Sequence, residues 1–395
     1  MSFRLSLFVC LAMLFLSCEK DSVTELNVFE VTQEILPNPP KTNNSSSLDT
    51  PVINWVVGMQ HDSGLLESAA HTNFVSLYDN ALATILFISI NKKEKAEKVL
   101  DFYQSKMQEE VLRNGGFYQF RNINGGEGER IWMGDNAWLL IAINQYKETY
   151  GSTKYDAMAS GLDKWLRSLQ LENGGLRGGL DQDGSEIPLV TEGIITAFNA
   201  VQGFDDFHVN ILNYLKNERW DPENQIFLSW PENPAYAYAM DLHSLSSIML
   251  DGLSTNVLIQ ADRYLTQQEL TVNGEMISGY CFDEDRDVVW LEGTAQMAVA
   301  FQAQGDREKA ETLIKELEKS IISSTMLENA KGIPYSSNHG TSYGTAMLWD
   351  HADTTPALSS TVWYLFAKNY FNPLQLGKKN DVPESFKFWS QEPSS

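Results

Sequence analysis

Six segments of this chain are apolar nearly all the way round, and they recur. They are "NALATILFISI" from Asn80, "NAWLLIAI" from Asn136, "GIITAFNAV" from Gly193, "SLSSIML" from Ser244, "TAQMAVAF" from Thr294 and "ALSSTVWYLFA" from Ala357. A helix with no polar face must be covered on every side, so these six belong in the interior. They start near residues 79, 135, 192, 242, 292 and 357, mostly 50 to 57 residues apart. Such spacing marks an internal repeat.

A second kind of segment alternates with the first. In "KEKAEKVLDFYQSKM" the apolar residues Ala96, Val99, Leu100, Tyr103 and Met107 form one stripe. "YDAMASGLDKWLRSLQ" from Tyr155 and "DREKAETLIKELEKSI" from Asp306 read the same way. One core stripe and one solvated face place these helices outside. Outer helices end at similar turns, Gly115-Gly116-Phe117, Gly174-Gly175-Leu176 and Lys331-Gly332-Ile333, where glycine supplies the left-handed residue that stops a helix. "DPENQIF" from Asp221 and "VNGEMISGY" from Val272 fill the same place.

Six inner helices are visible, with only five outer helices between them. The sixth is supplied at the start of the chain. "WVVGMQHDSGLL" from Trp55 repeats the pattern of "WLRSLQLENGGL" from Trp165: Trp, four residues, Gln, then a polar stretch ending in Gly and Leu. An outer helix first and an inner helix last is the phase that a closed ring of six hairpins requires. An open solenoid of helix pairs is the rival, but it buries its inner helices on only part of their surface.

With 395 residues, 43% of them hydrophobic, the chain can bury a large core. Its formal net charge of −23 repels phosphate backbones and argues against nucleic acid as a partner. The same charge favours neutral over highly anionic polysaccharides. Residues 1–17 read as a secretory signal, with Arg4 ahead of a short apolar run too brief to span a bilayer. "FLSC", Phe15 to Cys18, resembles the bacterial lipobox, with Phe15 in place of the usual Leu. Cys18 would then carry lipid and hold the domain at the cell envelope, at the outer membrane or the periplasmic face. Residues 18–50 read as a flexible tether, rich in Pro and Ser. The ring should span 51–373, and 374–395 reads as a C-terminal tail. Cys281 is the one other cysteine of the mature chain, so the body has no disulfide framework.

"WMGDNAWLLIAINQYKETYGSTKY" from Trp132 resembles a segment of sugar-processing toroids, in which an acidic residue opens an inner helix before aromatic and aliphatic residues. "VWLEGTAQMAVAF" from Val289 and "YDNALATILF" from Tyr78 are similar to other inner-helix starts of that group. Over Trp55 to about Pro373 the chain thus resembles the six-hairpin glycosidase superfamily. The resemblance implies an all-α fold, an (α/α)6 toroid of six inner and six outer helices joined by short turns and strands. It does not fix the reaction, because the superfamily also holds lyases, epimerases, phosphorylases and isoprenoid enzymes.

In such a ring every inner helix begins at one rim. That rim should collect Asp79, Asp135, Glu192, Asp241 and Glu292, one acid from each of five consecutive helices. Any one of them is explained by capping, since a carboxylate in a first turn satisfies orphan N–H groups. Five around one mouth repel one another, which raises some carboxyl pKa values and separates an acid from a base. Glycosidic cleavage uses such a pair. Glu292 is the candidate acid and Asp79 or Asp135 the candidate base. Glu192, Asp241 and Asp287 would orient the sugar. Tyr78, Trp132, Trp290 and Trp349 offer flat faces suited to sugar rings, whereas Trp138 reads as core packing. His243 reads either as a substrate contact or as a satisfied core histidine.

No phosphate-cradling loop, Ser-His-Asp signature or zinc spacing is present, and the acidic run 283–287 lacks the Gly and the terminal Glu of an EF-hand. The expectation is a monomeric glycoside hydrolase with a carbohydrate substrate and no metal or cofactor. The alternatives are a polysaccharide lyase or sugar epimerase, with Tyr78 or His243 carrying protons, and a non-catalytic glycan-binding lipoprotein.

Overall fold

The computed structural model describes residues 49–340, 342, 343 and 346–390. The signal segment, Cys18 and the tether up to residue 48 lie outside the described residues.

Twelve α-helices alternate as the two kinds of segment require. The inner helices are α2 (Leu77–Ser89), α4 (Met133–Tyr150), α6 (Thr191–Ala200), α8 (Asp241–Met249), α10 (Leu291–Ala303) and α12 (Leu358–Lys368). The outer ones are α1 (Asp49–Gly58), α3 (Lys93–Asn114), α5 (Asp156–Ser168), α7 (Asp206–Tyr214), α9 (Asn256–Gln260) and α11 (Arg307–Glu318). Each inner helix packs on the next, and α12 packs back on α2, so the ring is closed. α1 docks beside α12, where Trp55 is fully buried. In α2 every residue from Asp79 to Ile88 is buried, as a helix without a polar face must be.

The two Trp sentences fold alike. Gln60 bridges Leu66 and Gln170 bridges Leu176. Each Gln donates its side-chain amide to a carbonyl of the next outer helix, Lys95 in α3 at 2.9 Å and Phe207 in α7 at 2.9 Å. Gly64 and Gly174 both have positive φ, and a Cβ on either would strike a carbonyl oxygen of that neighbouring helix at 2.3 and 2.1 Å. Inner helices hold these turns from the other side. Asn80 accepts from the Leu66 N–H and donates to the Leu66 carbonyl, and Asn136 treats Phe117 in the same way.

Connections from inner to outer helices are short; those from outer to inner carry small antiparallel hairpins. Strands of successive units pair at the mouth, Phe74–Ser76 with Phe120–Asn122, and Ile131–Trp132 with Gly179–Leu180. The fifth outer helix, α9, is a stub, and the chain spends its length on the hairpin Leu265–Glu269 with Met276–Tyr280. Residues 374–390, expected as a tail, are instead packed on the body. Leu374, Val382, Phe388 and Trp389 are buried, and Trp389 donates to the Asp251 carbonyl at 3.1 Å.

Candidate active site

The inner helices all begin at one pole, and their first turns line a single cavity. It holds about 1370 Å³ of empty space, counting the solvent at its mouth. Asp79, Asp135, Glu192, Asp241 and Glu292 all line it, as do Tyr78, Trp132, Trp290 and Trp349. Asp79 and Asp135 are third in their helices, Glu192 and Glu292 second, and Asp241 first. All five lie in the first turn of their helices and face the cavity.

Burial dominates their electrostatics. It pushes Asp79 and Glu192 up to about 7, Asp135 and Glu292 up to about 8, and Asp241 up to about 6. Repulsion between neighbours adds to this around the ring: Asp135 acts on Asp79, Glu192 on Asp135, Asp241 on Glu192, and Asp79 and Asp241 on Glu292.

The hydrogen bonds separate the five. Glu292 is the most tightly held. Tyr78 donates its hydroxyl to Glu292 Oε1 at 2.6 Å, Gln296 donates to the same oxygen at 3.2 Å, and Ser359 also favours the charged carboxyl. Two donors on Oε1 leave Oε2 as the oxygen that carries a proton. Gln119 and the Tyr78 backbone favour the charged form of Asp135, yet its buried Oδ2 has no hydrogen-bond partner. Glu192 accepts from the Thr196 hydroxyl at 3.0 Å, and Ser68 favours the charged form of Asp79. In the ring order α2, α4, α6, α8, α10, α12, the Asp135 helix lies opposite the Glu292 helix.

Two expected contacts are elsewhere. His243 is in the core: its Nδ1–H donates to the Val257 carbonyl at 2.7 Å, and its ring meets the edge of Tyr264. Burial lowers it to about 4, so it is neutral. Asp287 is outside the cavity, beside Cys281 and Asp285, and its carboxylate accepts from the Ser342 N–H at 3.4 Å. Trp138 is core packing as expected, edge-on against Tyr78 and Trp363, and it also borders the cavity.

Sequence reasoning missed Arg130, Phe282 and Tyr335, which reach the cavity from loops. Arg130 lies over the Trp132 ring at 5.4 Å and lowers the neighbouring Asp135. Ser359 was legible in principle. It is second in α12, the place that an acid takes in α6 and α10.

No protein-family model matches the chain, and no curated protein matches it. Solved structures do. An α-amylase from Clostridium perfringens aligns with a TM-score of 0.60 at 13% identity, over 85% of this chain and 100% of that one. A sugar epimerase from a ruminal bacterium aligns at 0.53 and 11%, over 80% and 96%. Cellobiose 2-epimerase from Bacillus thermoamylovorans aligns at 0.53 and 11%, over 82% and 97%. At such identities the likeness is one of fold. Together with the closed ring of alternating helices, it gives this chain the (α/α)6 toroid fold.

Proposed function

We propose that the chain is a sugar-processing enzyme, and specifically a glycoside hydrolase acting on the end of a neutral oligo- or polysaccharide. One observation carries this reading: five carboxyls, those of Asp79, Asp135 and Glu292 buried and those of Glu192 and Asp241 half-buried, line one aromatic-walled bowl, with Glu292 and Asp135 on opposite sides. The named neighbours include an amylase and two sugar epimerases, which supports a sugar as substrate. Five acids against the single guanidinium of Arg130, among the described lining residues, favour a neutral glycan.

The residues divide the work as follows. Glu292 Oε2 gives its proton to the glycosidic oxygen as the bond from that oxygen to the anomeric carbon breaks. Asp135 Oδ2 takes a proton from water as the water oxygen bonds the same carbon. The cycle leaves Glu292 ionised and Asp135 protonated, and solvent restores both. Asp241 and Asp79, raised less, ionise before either, and their charge keeps the proton on Glu292; Asp135 acts in the fraction of molecules in which it is ionised. Placement on opposite sides of the bond suits inversion at the anomeric carbon.

An epimerase or lyase would remove a proton from carbon. His243, a carrier that such a reaction would use, is turned away from the cavity. No histidine is among the described lining residues, and Tyr78 is held well above its ordinary pKa by burial and by Glu292, which makes it a poor base. The test is a panel of neutral and acidic glycans assayed for new reducing ends and for the ultraviolet absorbance of an unsaturated uronate. Reducing ends that Glu292→Gln abolishes are expected. Absorbance without reducing ends, or an epimer without cleavage, rules the hydrolase out. The membrane location is a separate proposal resting on "FLSC": Cys18→Ala should release the chain from the membrane fraction, and retention there overturns it.

A further inference from the structure

Five inner helices bring a carboxyl to the bowl, and the sixth, α12, brings none. What α12 brings is hydrogen-bond donors. Ser359 and Trp363 are four residues apart and so share one face of the helix. Ser359 lines the bowl and favours the charged form of the Glu292 carboxyl. Trp363 does not reach it. Its indole Nε1–H donates to the Tyr78 hydroxyl oxygen at 2.7 Å, and that hydroxyl donates onward to Glu292 Oε1 at 2.6 Å. Trp363 is fully buried and is not among the residues that line the bowl.

We infer that α12 is the positioning element of Glu292, acting directly through Ser359 and through a Trp363–Tyr78 relay. A donor at the Tyr78 oxygen polarises the phenol and makes its hydrogen a stronger donor to the carboxylate. Both arms therefore oppose what surrounds Glu292. It faces Asp79 from α2, Asp241 from α8, Glu192 from α6 and the Tyr335 phenol from the loop before α12, with Gln296 the further donor on its own helix. Burial and these acids favour the neutral carboxyl; the α12 donors favour the carboxylate. The balance lets Glu292 be protonated at rest and still release its proton. The relay also fixes which oxygen is free, because it occupies Oε1.

The inference rests on the hydrolase reading only for what Glu292 then does, so its test reads protonation as well as turnover. The full chain is labelled with ¹³C at glutamate carboxyls, and Glu292 is assigned by the resonance lost in Glu292→Gln. Its titration is followed in Tyr78→Phe, Trp363→Phe, the double variant and Ser359→Ala. Tyr78→Phe should raise the midpoint by about one pH unit, the scale of a lost hydrogen bond to the charged form. Trp363→Phe should move it less, in the same direction. In the Tyr78→Phe background Trp363→Phe should do nothing, because the indole has lost the oxygen it acts on. Ser359→Ala should add its upward shift in either background. On a cleaved glycan, the alkaline limb of kcat/KM should follow the same midpoints. A Trp363→Phe shift that is absent in the native background, or equal in both, overturns the relay. No Ser359→Ala shift overturns the direct arm, and it decides the matter if Trp363→Phe fails to fold. Intact midpoint shifts with no glycan cleaved would instead sink the hydrolase reading and leave the relay standing.

Discussion

The two poles of the toroid handle buried charge in opposite ways. At the mouth, helix N-termini meet five acids, and buried oxygens of Asp135 and Asp241 have no partner. At the far pole, helix C-termini meet the segment 374–390, and its buried cation is satisfied. Lys379 donates to the carbonyls of Val201 at 3.0 Å and Gly377 at 2.9 Å, and more weakly to Asn199 at 3.4 Å. Both charges suit the helix dipoles they face. The buried cation of the far pole is paired while those mouth oxygens are not, and an unpaired buried charge is costly. The lesson is that one pole is built for stability and the other holds groups in a state that folding alone would not favour.

The sharpest way to break that contrast is to neutralise a mouth acid. Asp135→Asn should lower turnover on the order of 10²- to 10⁴-fold, the usual contribution of a positioned acid or base. It should also stabilise the fold at alkaline pH. Asp135 has its folded pKa raised to about 8. The folded state therefore binds the proton more tightly than the unfolded one, and stability falls as pH rises from the ordinary carboxylate range through about 8. The amide escapes that loss. Thermal melts at several pH values should show Asp135→Asn gaining over wild type by about 1–3 kcal/mol above pH ~8, with no gain in acid. A destabilised, inactive variant at every pH would mean that the mouth acids are structural.

Lys379→Met is the counterpart at the far pole. It strands the carbonyls that cap α6 and should cost about 1–3 kcal/mol in urea unfolding while leaving kcat and KM unchanged. A loss of turnover in the folded variant would erase the division between poles. The repeated turns give a check on the ring itself. Gly64→Ala and Gly174→Ala both put a Cβ against a neighbouring helix at positive φ. Each should destabilise by more than about 1 kcal/mol, and by similar amounts, in the same unfolding assay. The smallest effect is expected at His243→Asn, whose amide can still donate to Val257. Its pH–rate profile should overlay the wild type, and a lost limb would return His243 to the chemistry.

Much of this was legible in advance because helical burial is periodic. The six inner helices begin within two residues of the positions read from apolarity, since a helix wrapped by others has nowhere to put a polar face. The same geometry explains the error at His243. It is two residues after Asp241, about 200° round the helix, so one faces the bowl and the other the core. Trp138 is three residues after Asp135, which returns it to within about 60° of the bowl face, so it borders the cavity while packed in the core. Arg130, Phe282 and Tyr335 sit on connections whose course is fixed by strand pairing and loop packing, which no period reports. Residues 374–390 have no helical stripe to betray that Phe388 and Trp389 are buried.

The most direct measurement is a proton NMR time course of a cleaved oligosaccharide with the full chain, wild type and Glu292→Gln. It reads bond cleavage, anomeric configuration and C2 stereochemistry in one spectrum. The expected result is a new anomeric proton of configuration opposite to the bond that was cut, C2 unchanged, and no reaction with Glu292→Gln. A retained configuration would contradict the role given to Asp135 across the bowl, and a C2 epimer from an uncut chain would contradict hydrolysis altogether.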